Sequence, residues 1–97
     1  MRDVVILEWA EEEIEEAADY LDDEVPGLGD EFLEEVQRTI GRLKRNPYVG
    51  PKIERRVHKI GLKRFSYDLV YTIPLASVIV VAVVHHRREP GYWRNRV

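Results

Sequence analysis

The longest apolar run in the sequence is Val78–Val84, seven residues rich in valine and isoleucine. A run of this length and composition is typical of a β-strand covered on both faces. It is far shorter than the roughly 20 residues that a membrane span requires. His85, His86, Arg87 and Arg88 follow directly. Because side chains alternate along a strand, we expect one imidazole and one guanidinium on each face.

Two stretches with helical periodicity lie between a short first strand, Val4–Leu7, and the later strands. Apolar residues spaced three and four apart predict a first helix, which Pro26-Gly27 ends; they are Ala10, Ile14, Ala17, Ala18, Leu21 and Val25. A second helix is predicted from about Leu28 to Arg45, because the residue before Pro47 is pushed out of the helical region. The tight connection predicts an antiparallel helical hairpin.

The rest of the chain has the pattern of an antiparallel three-strand meander. A basic strand is predicted at Glu54–Ile60, with a turn at Gly61-Leu62. Phe65–Ile73 alternates apolar and polar side chains, which indicates a half-buried strand. Pro74–Ser77 then turns the chain into the Val78 strand.

Together these elements predict one α+β domain over residues 1–97, in the order β-α-α-β-β-β. The helical hairpin packs on one face of a mostly antiparallel sheet. The first strand can join the sheet beside either the third or the last strand. The expected core comprises Leu21, Phe32, Val36, Ile40, Leu43, Tyr71, Val81 and Val83.

The hairpin covers only one face of the sheet, and 97 residues leave little to cover the other. We therefore expect an exposed apolar patch on the second face of Val78–Val84. A patch of this kind marks a site for a partner.

The amino-acid composition excludes several classes of protein and of functional site. With 44% hydrophobic and 34% charged residues the chain is globular rather than disordered. It has no cysteine, which excludes a disulfide framework, a thiol nucleophile and a cysteine-based zinc site. The amino-terminal residues carry too many acids for a signal peptide, so we expect a cytoplasmic protein without a membrane segment.

The net charge of −3 conceals a strong polarity along the chain. Residues 1–37 hold fifteen of the 18 acidic residues and one of the 15 basic residues, which leaves three acids and fourteen bases for residues 38–97. The second half thus has the electrostatics of a surface that binds phosphates or acidic partners. Alternatively, the two halves only neutralise each other across one fold.

Three segments give the chain a resemblance to a known superfamily: Asn46-Pro47 after the second helix, the strand FSYDLVY at 65–71, and the ending AVVHHRREPGYWRNR. The most specific part is H-x-x-R-x-P-x-x-W-x-x-R, formed by His85, Arg88, Pro90, Trp93 and Arg96. Over nearly its whole length the sequence resembles the RelE/ParE superfamily, the toxins of type II toxin–antitoxin, or plasmid-stabilisation, modules.

The resemblance implies one of two activities on the same scaffold. RelE-like members are ribosome-dependent mRNA endonucleases, and ParE-like members poison DNA gyrase. The ending with Pro90 and Trp93 looks more ParE-like, although the fold itself cannot choose. A binding module without catalysis is a third possibility.

For RNA cleavage, a base must take the 2′-hydroxyl proton, an acid must protonate the leaving oxygen and cations must hold the phosphate. Under the RelE-like hypothesis, His85 or His86 is the base, Arg87 or Arg88 the phosphate clamp and Tyr92 the proton donor. The backbone phosphates would then be bound by Lys52, Arg55, Arg56, Lys59 and Arg64.

Under the gyrase hypothesis no proton transfer is needed, and Arg88, Trp93 and Arg96 act as contact residues for the target. Further contacts would come from Arg87 and from the five basic residues listed above for phosphate binding.

The competing structural interpretation is that the histidines are hydrogen-bonded boundary residues, while Tyr92 and Trp93 anchor the tail. No cofactor and no metal are predicted, because the three histidines lack the spacing of a metal motif. The implied partner is an acidic antitoxin that forms a hetero-oligomer with the toxin.

Overall fold

The computed structural model describes residues 2–97. Its elements are β1 (Asp3–Ile6), α1 (Glu8–Glu24), α2 (Leu28–Arg45), β2 (Lys52–Glu54), β3 (Val57–Gly61), β4 (Tyr67–Thr72) and β5 (Ser77–His85), with 3-10 turns at Pro47–Val49 and Arg94–Arg96. The sheet order is β1-β5-β4-β3-β2, with β1 parallel to β5 and the other pairs antiparallel. The predicted α+β architecture is confirmed, and the first strand lies beside the last.

The helical hairpin packs on one face of the sheet, as predicted. The second helix has the predicted bounds, and the Asp22 carboxylate accepts the Gly29 N–H at 2.7 Å, which fixes the short connection. Seven of the eight expected core residues are buried, and Leu21 is half-buried at the edge of the core. The hairpin buries Ala10, Ile14, Ala17, Ala18, Phe32, Val36, Ile40 and Leu43.

Three sequence-based expectations about the strands are wrong. The predicted strand Glu54–Ile60 is two strands, because the chain reverses at Arg55-Arg56, where Arg56 has a φ of 64°. The turn predicted at Gly61-Leu62 begins later, since β3 includes Gly61 and the chain turns between residues 62 and 66. β5 ends at His85, so Arg87 and Arg88 lie in a turn and the expected guanidinium on each face is not found.

A β-bulge in β5 determines which face each strand-end histidine occupies. Val70 pairs with Ala82 and Tyr71 with Val80, so Val81 is the extra residue. Val80 and Val83 consequently face the helices, whereas Val81 and Ala82 both face the opposite side. Without the bulge, His85 and His86 would exchange faces, because the side-chain period of a strand is two.

The face of the sheet opposite the helices, here called the open face, is partly covered by the carboxy-terminal segment 90–97. Trp93 is only 4% exposed and packs on Val57, Val70, Val81 and Ala82. The expectation of an exposed apolar patch on this face, with little chain left to cover it, is therefore wrong for its central part. Within residues 2–97, no helix has the length and apolar character needed to cross a membrane.

Candidate functional site

Five of the candidate residues converge where β5 ends: His85, His86, Arg87, Arg88 and Tyr92, here called the strand-end cluster. His85, Arg88 and Tyr92 line a small cleft of about 180 Å³ with Glu13 and Tyr20 of α1. His85, His86 and Arg87 surround a shallower depression next to it. The structure thus brings these five side chains together, beside partners that the sequence did not indicate.

His85 lies on the helix side of the sheet. Its ring meets Tyr67 edge-on, with 5.0 Å between the ring centroids. The Arg87 backbone N–H donates to His85 Nδ1 at 3.0 Å. A ring nitrogen that accepts a hydrogen bond carries no proton, so the neutral ring holds its proton on Nε2. In this tautomer, neither ring nitrogen has an unoccupied lone pair.

His86 lies on the open face, where Asp68 and Lys59 are its neighbours. Its Nε2 is 3.1 Å from Asp68 Oδ1, and the Lys59 ammonium is 3.7 Å from Asp68 Oδ2. When Nε2–H donates to the carboxylate, the Nδ1 lone pair of the neutral ring remains free to accept a proton or a hydrogen bond. Asp68 is a site residue that sequence reasoning missed, since it appeared only as a polar position in an alternating strand.

Tyr92 points towards α1. Its hydroxyl donates to Glu13 Oε2 at 2.5 Å, and the Arg88 guanidinium lies 3.8 Å from the ring centroid. Burial raises the pKa of Tyr92 strongly, and the Glu13 carboxylate raises it further, while Arg88 and Arg96 oppose the shift only in part. The phenol therefore stays protonated near neutral pH, with its proton directed at Glu13.

Glu13 and Arg96 form a mostly buried ion pair at the edge of β5. Arg96 Nη1 donates to Glu13 Oε1 and to the Val81 carbonyl, each at 3.0 Å, and Glu13 Oε1 also accepts the Val83 N–H at 3.0 Å. β1 ends opposite Val80, so beyond this point β5 has no parallel partner strand. The Glu13 and Arg96 side chains supply the hydrogen bonds that the Val83 N–H and the Val81 carbonyl would otherwise lack. The side chain of Arg96 is 13% exposed, so it acts in the interior rather than on the surface.

The role of Glu13 was not predicted, because the residue lies in a run of exposed acids. One signal was available. Position 13 is three residues after Ala10 and four before Ala17, which places Glu13 at the border of the apolar helix face. Trp93, predicted as a contact residue, is likewise a core residue rather than part of an exposed surface.

The five basic residues proposed to bind phosphates do not form one surface. Lys52, Arg55 and Arg56 lie around the β2–β3 turn, on the rim of a groove in the open face. Lys59 pairs with Asp68, and Arg64 Nη2 is 2.7 Å from Glu31 Oε1. Among the residues that the structure describes, no group of three or more His, Asp or Glu side chains is arranged to hold a metal ion.

The sequence matches a family model described as the ParE toxin of the type II toxin–antitoxin system, parDE, over residues 4–90. The chain belongs to the ParE toxin family. It is thus a toxin of the type II class, a class defined by pairing with an antitoxin. The matched region stops at Pro90, so Tyr92, Trp93 and Arg96 lie beyond it.

Two solved structures share this fold. A chain from the chromosomal ParDE system of P. aeruginosa has a TM-score of 0.66 at 13% identity, covering 88% of this chain and 96% of that one. The isolated E. coli RelE toxin has a TM-score of 0.69 at 19% identity, covering 99% and 96%. No curated protein sequence matches significantly. Since a ParDE chain and a RelE toxin fit about equally well, the fold of this ParE family member is compatible with either activity.

Proposed function

We propose that this ParE family toxin inhibits DNA gyrase and is neutralised by a cognate acidic antitoxin. The family match supports the gyrase assignment, because gyrase is the target that the ParE-like resemblance implies. The basic second half of the chain supports an acidic partner. Both gyrase and the ribosome are cytoplasmic, so the proposal locates the action there.

The observation that carries the gyrase proposal is the state of the proton-transfer groups in the strand-end cluster. The Tyr92 proton is held by Glu13, and the pKa of Tyr92 is raised by burial, which makes the phenol a poor acid near pH 7. The Nδ1 atom of His85 accepts a backbone N–H. Two of the three groups proposed for acid–base catalysis are therefore engaged in holding the structure.

Inhibition by contact needs exposed side chains rather than free proton-transfer groups. Arg87 and Arg88 are exposed and, among the described residues, neither forms an ion pair with a carboxylate. Exposed guanidiniums of this kind suit bidentate contacts to carboxylates or phosphates of a target. We therefore assign the target contact to Arg87 and Arg88, in place of Trp93 and Arg96.

One observation favours the second candidate function, ribosome-dependent mRNA cleavage. The Asp68 carboxylate orients the His86 ring so that Nδ1 faces away from it, and Lys59, which pairs with the same carboxylate, supplies a cation nearby. A carboxylate that holds the tautomer of a histidine is a common arrangement for a general base. Under this alternative His86, rather than His85, is the base.

Two reactions with purified components separate the functions. The first measures gyrase supercoiling and trapped cleavage complexes; the second maps mRNA ends on translating ribosomes. We expect gyrase inhibition by the wild type and by His86→Ala, and loss of inhibition in the Arg87→Glu/Arg88→Glu double variant. All the substituted side chains are exposed, so the variants should fold, which circular dichroism checks.

Codon-phased mRNA cuts with unaffected gyrase would instead assign the endonuclease function. In that case His86→Ala should lower the cleavage rate by about 10²–10⁴, as expected for loss of a general base. No activity in either reaction, combined with tight antitoxin binding, would identify a binding module that has lost its toxicity.

A further inference from the structure

The part of the open face that Trp93 leaves uncovered forms a groove of about 990 Å³. Its floor is apolar and is contributed by β3, β5 and the segments after β1 and β4, namely Leu7, Val57, Ile73, Ile79 and Val81. None of the strand-end cluster residues lines this groove. It is therefore a surface separate from the strand-end cluster and has no part in the gyrase contact proposed above.

All charged side chains that line the groove are cationic: Lys52, Arg55, Arg56 and Arg96. Arg96 is neutralised by Glu13. The other three are exposed, and in the part of the chain that the structure describes none forms an ion pair. An apolar floor with an unneutralised cationic rim fits an occupant that is apolar on one side and acidic on the other.

Two rim residues have backbone conformations that L-residues rarely adopt. Arg56 has a φ of 64° and Leu75 a φ of 50°. Leu75 is 98% exposed, and its carbonyl accepts a hydrogen bond from Arg2 Nη1 at 2.8 Å, which holds the turn in place. Left-handed positions usually favour glycine or asparagine, yet Leu75 exposes nearly its whole apolar side chain there. A partner that covers this side chain would gain free energy by removing apolar surface from water.

We propose that the groove binds an acidic, amphipathic segment of the antitoxin, with Leu75 as an apolar anchor and Lys52, Arg55 and Arg56 pairing with its carboxylates. This inference rests on the proposed antitoxin partnership and adds the place and chemistry of the contact. Tyr48 and His58 add aromatic rings to the lining, but the five residues of the floor are aliphatic and suit apolar side chains rather than bases or phosphates. A peptide therefore fits the groove better than a nucleic acid.

The test measures binding of the purified cognate antitoxin by calorimetry. Leu75→Asp and Arg55→Glu should each weaken the affinity at least about tenfold, the change expected when an interface anchor or a steering charge is reversed. Matched controls on other surfaces, Leu33→Asp on α2 and Lys63→Glu in the β3–β4 turn, should bind within about twofold of wild type. Added salt should weaken wild-type binding more than Arg55→Glu binding, because the rim charges are screened.

Each contrary outcome has a distinct meaning. Wild-type affinity in both groove variants would overturn the groove inference while leaving the antitoxin partnership intact. A wild-type toxin that does not bind the antitoxin would overturn the partnership itself. If the toxin forms a dimer that Leu75→Asp dissociates, the occupant of the groove is a second copy of the chain. If an RNA or DNA oligonucleotide competes with the antitoxin only when Arg55 is present, the occupant is a nucleic acid. Either result contradicts the proposal.

Discussion

At the scale of single residues, Glu13 connects more of the structure than any pattern in the sequence indicates. One carboxylate accepts hydrogen bonds from Tyr92, Arg96 and the Val83 backbone, groups that lie 70 to 83 positions further along the chain. It thereby attaches α1 to the sheet edge and to the segment that carries Trp93. Charged groups that are mostly buried are tolerated only when they are paired in this way.

Glu13→Ala should therefore be strongly destabilising. Arg96 would lose its ionic partner and the Val83 N–H its acceptor, so we expect a loss of about 2–3 kcal/mol in the free energy of unfolding, measured in urea. The matched control is Glu12→Ala on the exposed face of the same helix, with an expected change within about 0.5 kcal/mol. Equal stability of the two variants would contradict the role given to Glu13.

At the scale of elements, the helical hairpin depends on close approach at its connection. Gly29 lies in the first turn of α2, and a Cβ atom built there would be 2.5 Å from the Ala18 carbonyl oxygen and 2.8 Å from Asp22 Cγ. Gly41 lies in the same helix, yet a Cβ there would meet nothing closer than Arg45 Nη1 at 3.7 Å. One glycine is thus required by packing, whereas the other only costs helix stability.

The two alanine variants should move stability in opposite directions. Gly29→Ala forces the helices apart and should cost about 1–3 kcal/mol, as overpacking typically does. Gly41→Ala should gain about 0.5–1 kcal/mol from the higher helix propensity of alanine. Thermal unfolding of both variants beside the wild type measures the difference, and a Gly29→Ala protein as stable as Gly41→Ala would show that the connection is looser than described.

At the scale of the whole molecule, few direct ion pairs join the acidic half of the chain to the basic half. Only three ion pairs, Glu13–Arg96, Glu31–Arg64 and Glu35–Arg38, join an acid of the first half to a base of the second among residues 2–97. Mutual neutralisation within the fold therefore does not account for the segregation. Cations without an ion pair lie on the groove rim and in the strand-end cluster, and also at the end of α2 and in the β3–β4 turn, namely Arg42, Lys44, Arg45 and Lys63. The basic half therefore keeps positive charge available for acidic partners.

Titration of interior groups should limit stability at both ends of the pH range. Burial by itself would raise the pKa of the Glu35 carboxyl. The hydrogen bonds from the Lys63 N–H and from Arg38, and the positive charges of both side chains, outweigh burial and lower the pKa below 4.5. Its contribution is complete above pH 4.5 and is lost as the pH falls through the lowered pKa. At the alkaline end, burial raises the pKa of Tyr67, Tyr71 and Tyr92, so their contribution is complete below pH 10 and is lost as the pH rises above it.

Urea unfolding as a function of pH measures both limits. Glu35→Gln should flatten the acidic decline, whereas the exposed control Glu34→Gln should leave it unchanged. Tyr92→Phe should flatten part of the alkaline decline. An acidic limb with the same slope in wild type and Glu35→Gln would contradict the assignment of Glu35.

The sequence by itself determined what depends on short stretches of chain. Helical periodicity predicted the second helix and most of the core residues on the helices, because an amphipathic pattern must bury its apolar side wherever the partner lies. The unbroken apolar run of Val78–Val84 predicted β5. The sequence also places His85, His86 and Arg88 directly after this run, and the motif that contains them indicated the toxin family. These features need no knowledge of distant contacts.

Only the tertiary structure decided which groups meet. The pairing of β4 with β5 shifts by one residue at Val81, and this shift places His85 beside Tyr67 and His86 beside Asp68. The parallel pairing of β1 with β5, the cover that Trp93 provides and the three partners of Glu13 all join residues far apart in the chain. Local propensity carries no information about such contacts, because their free energy is gained only after the chain has closed on itself.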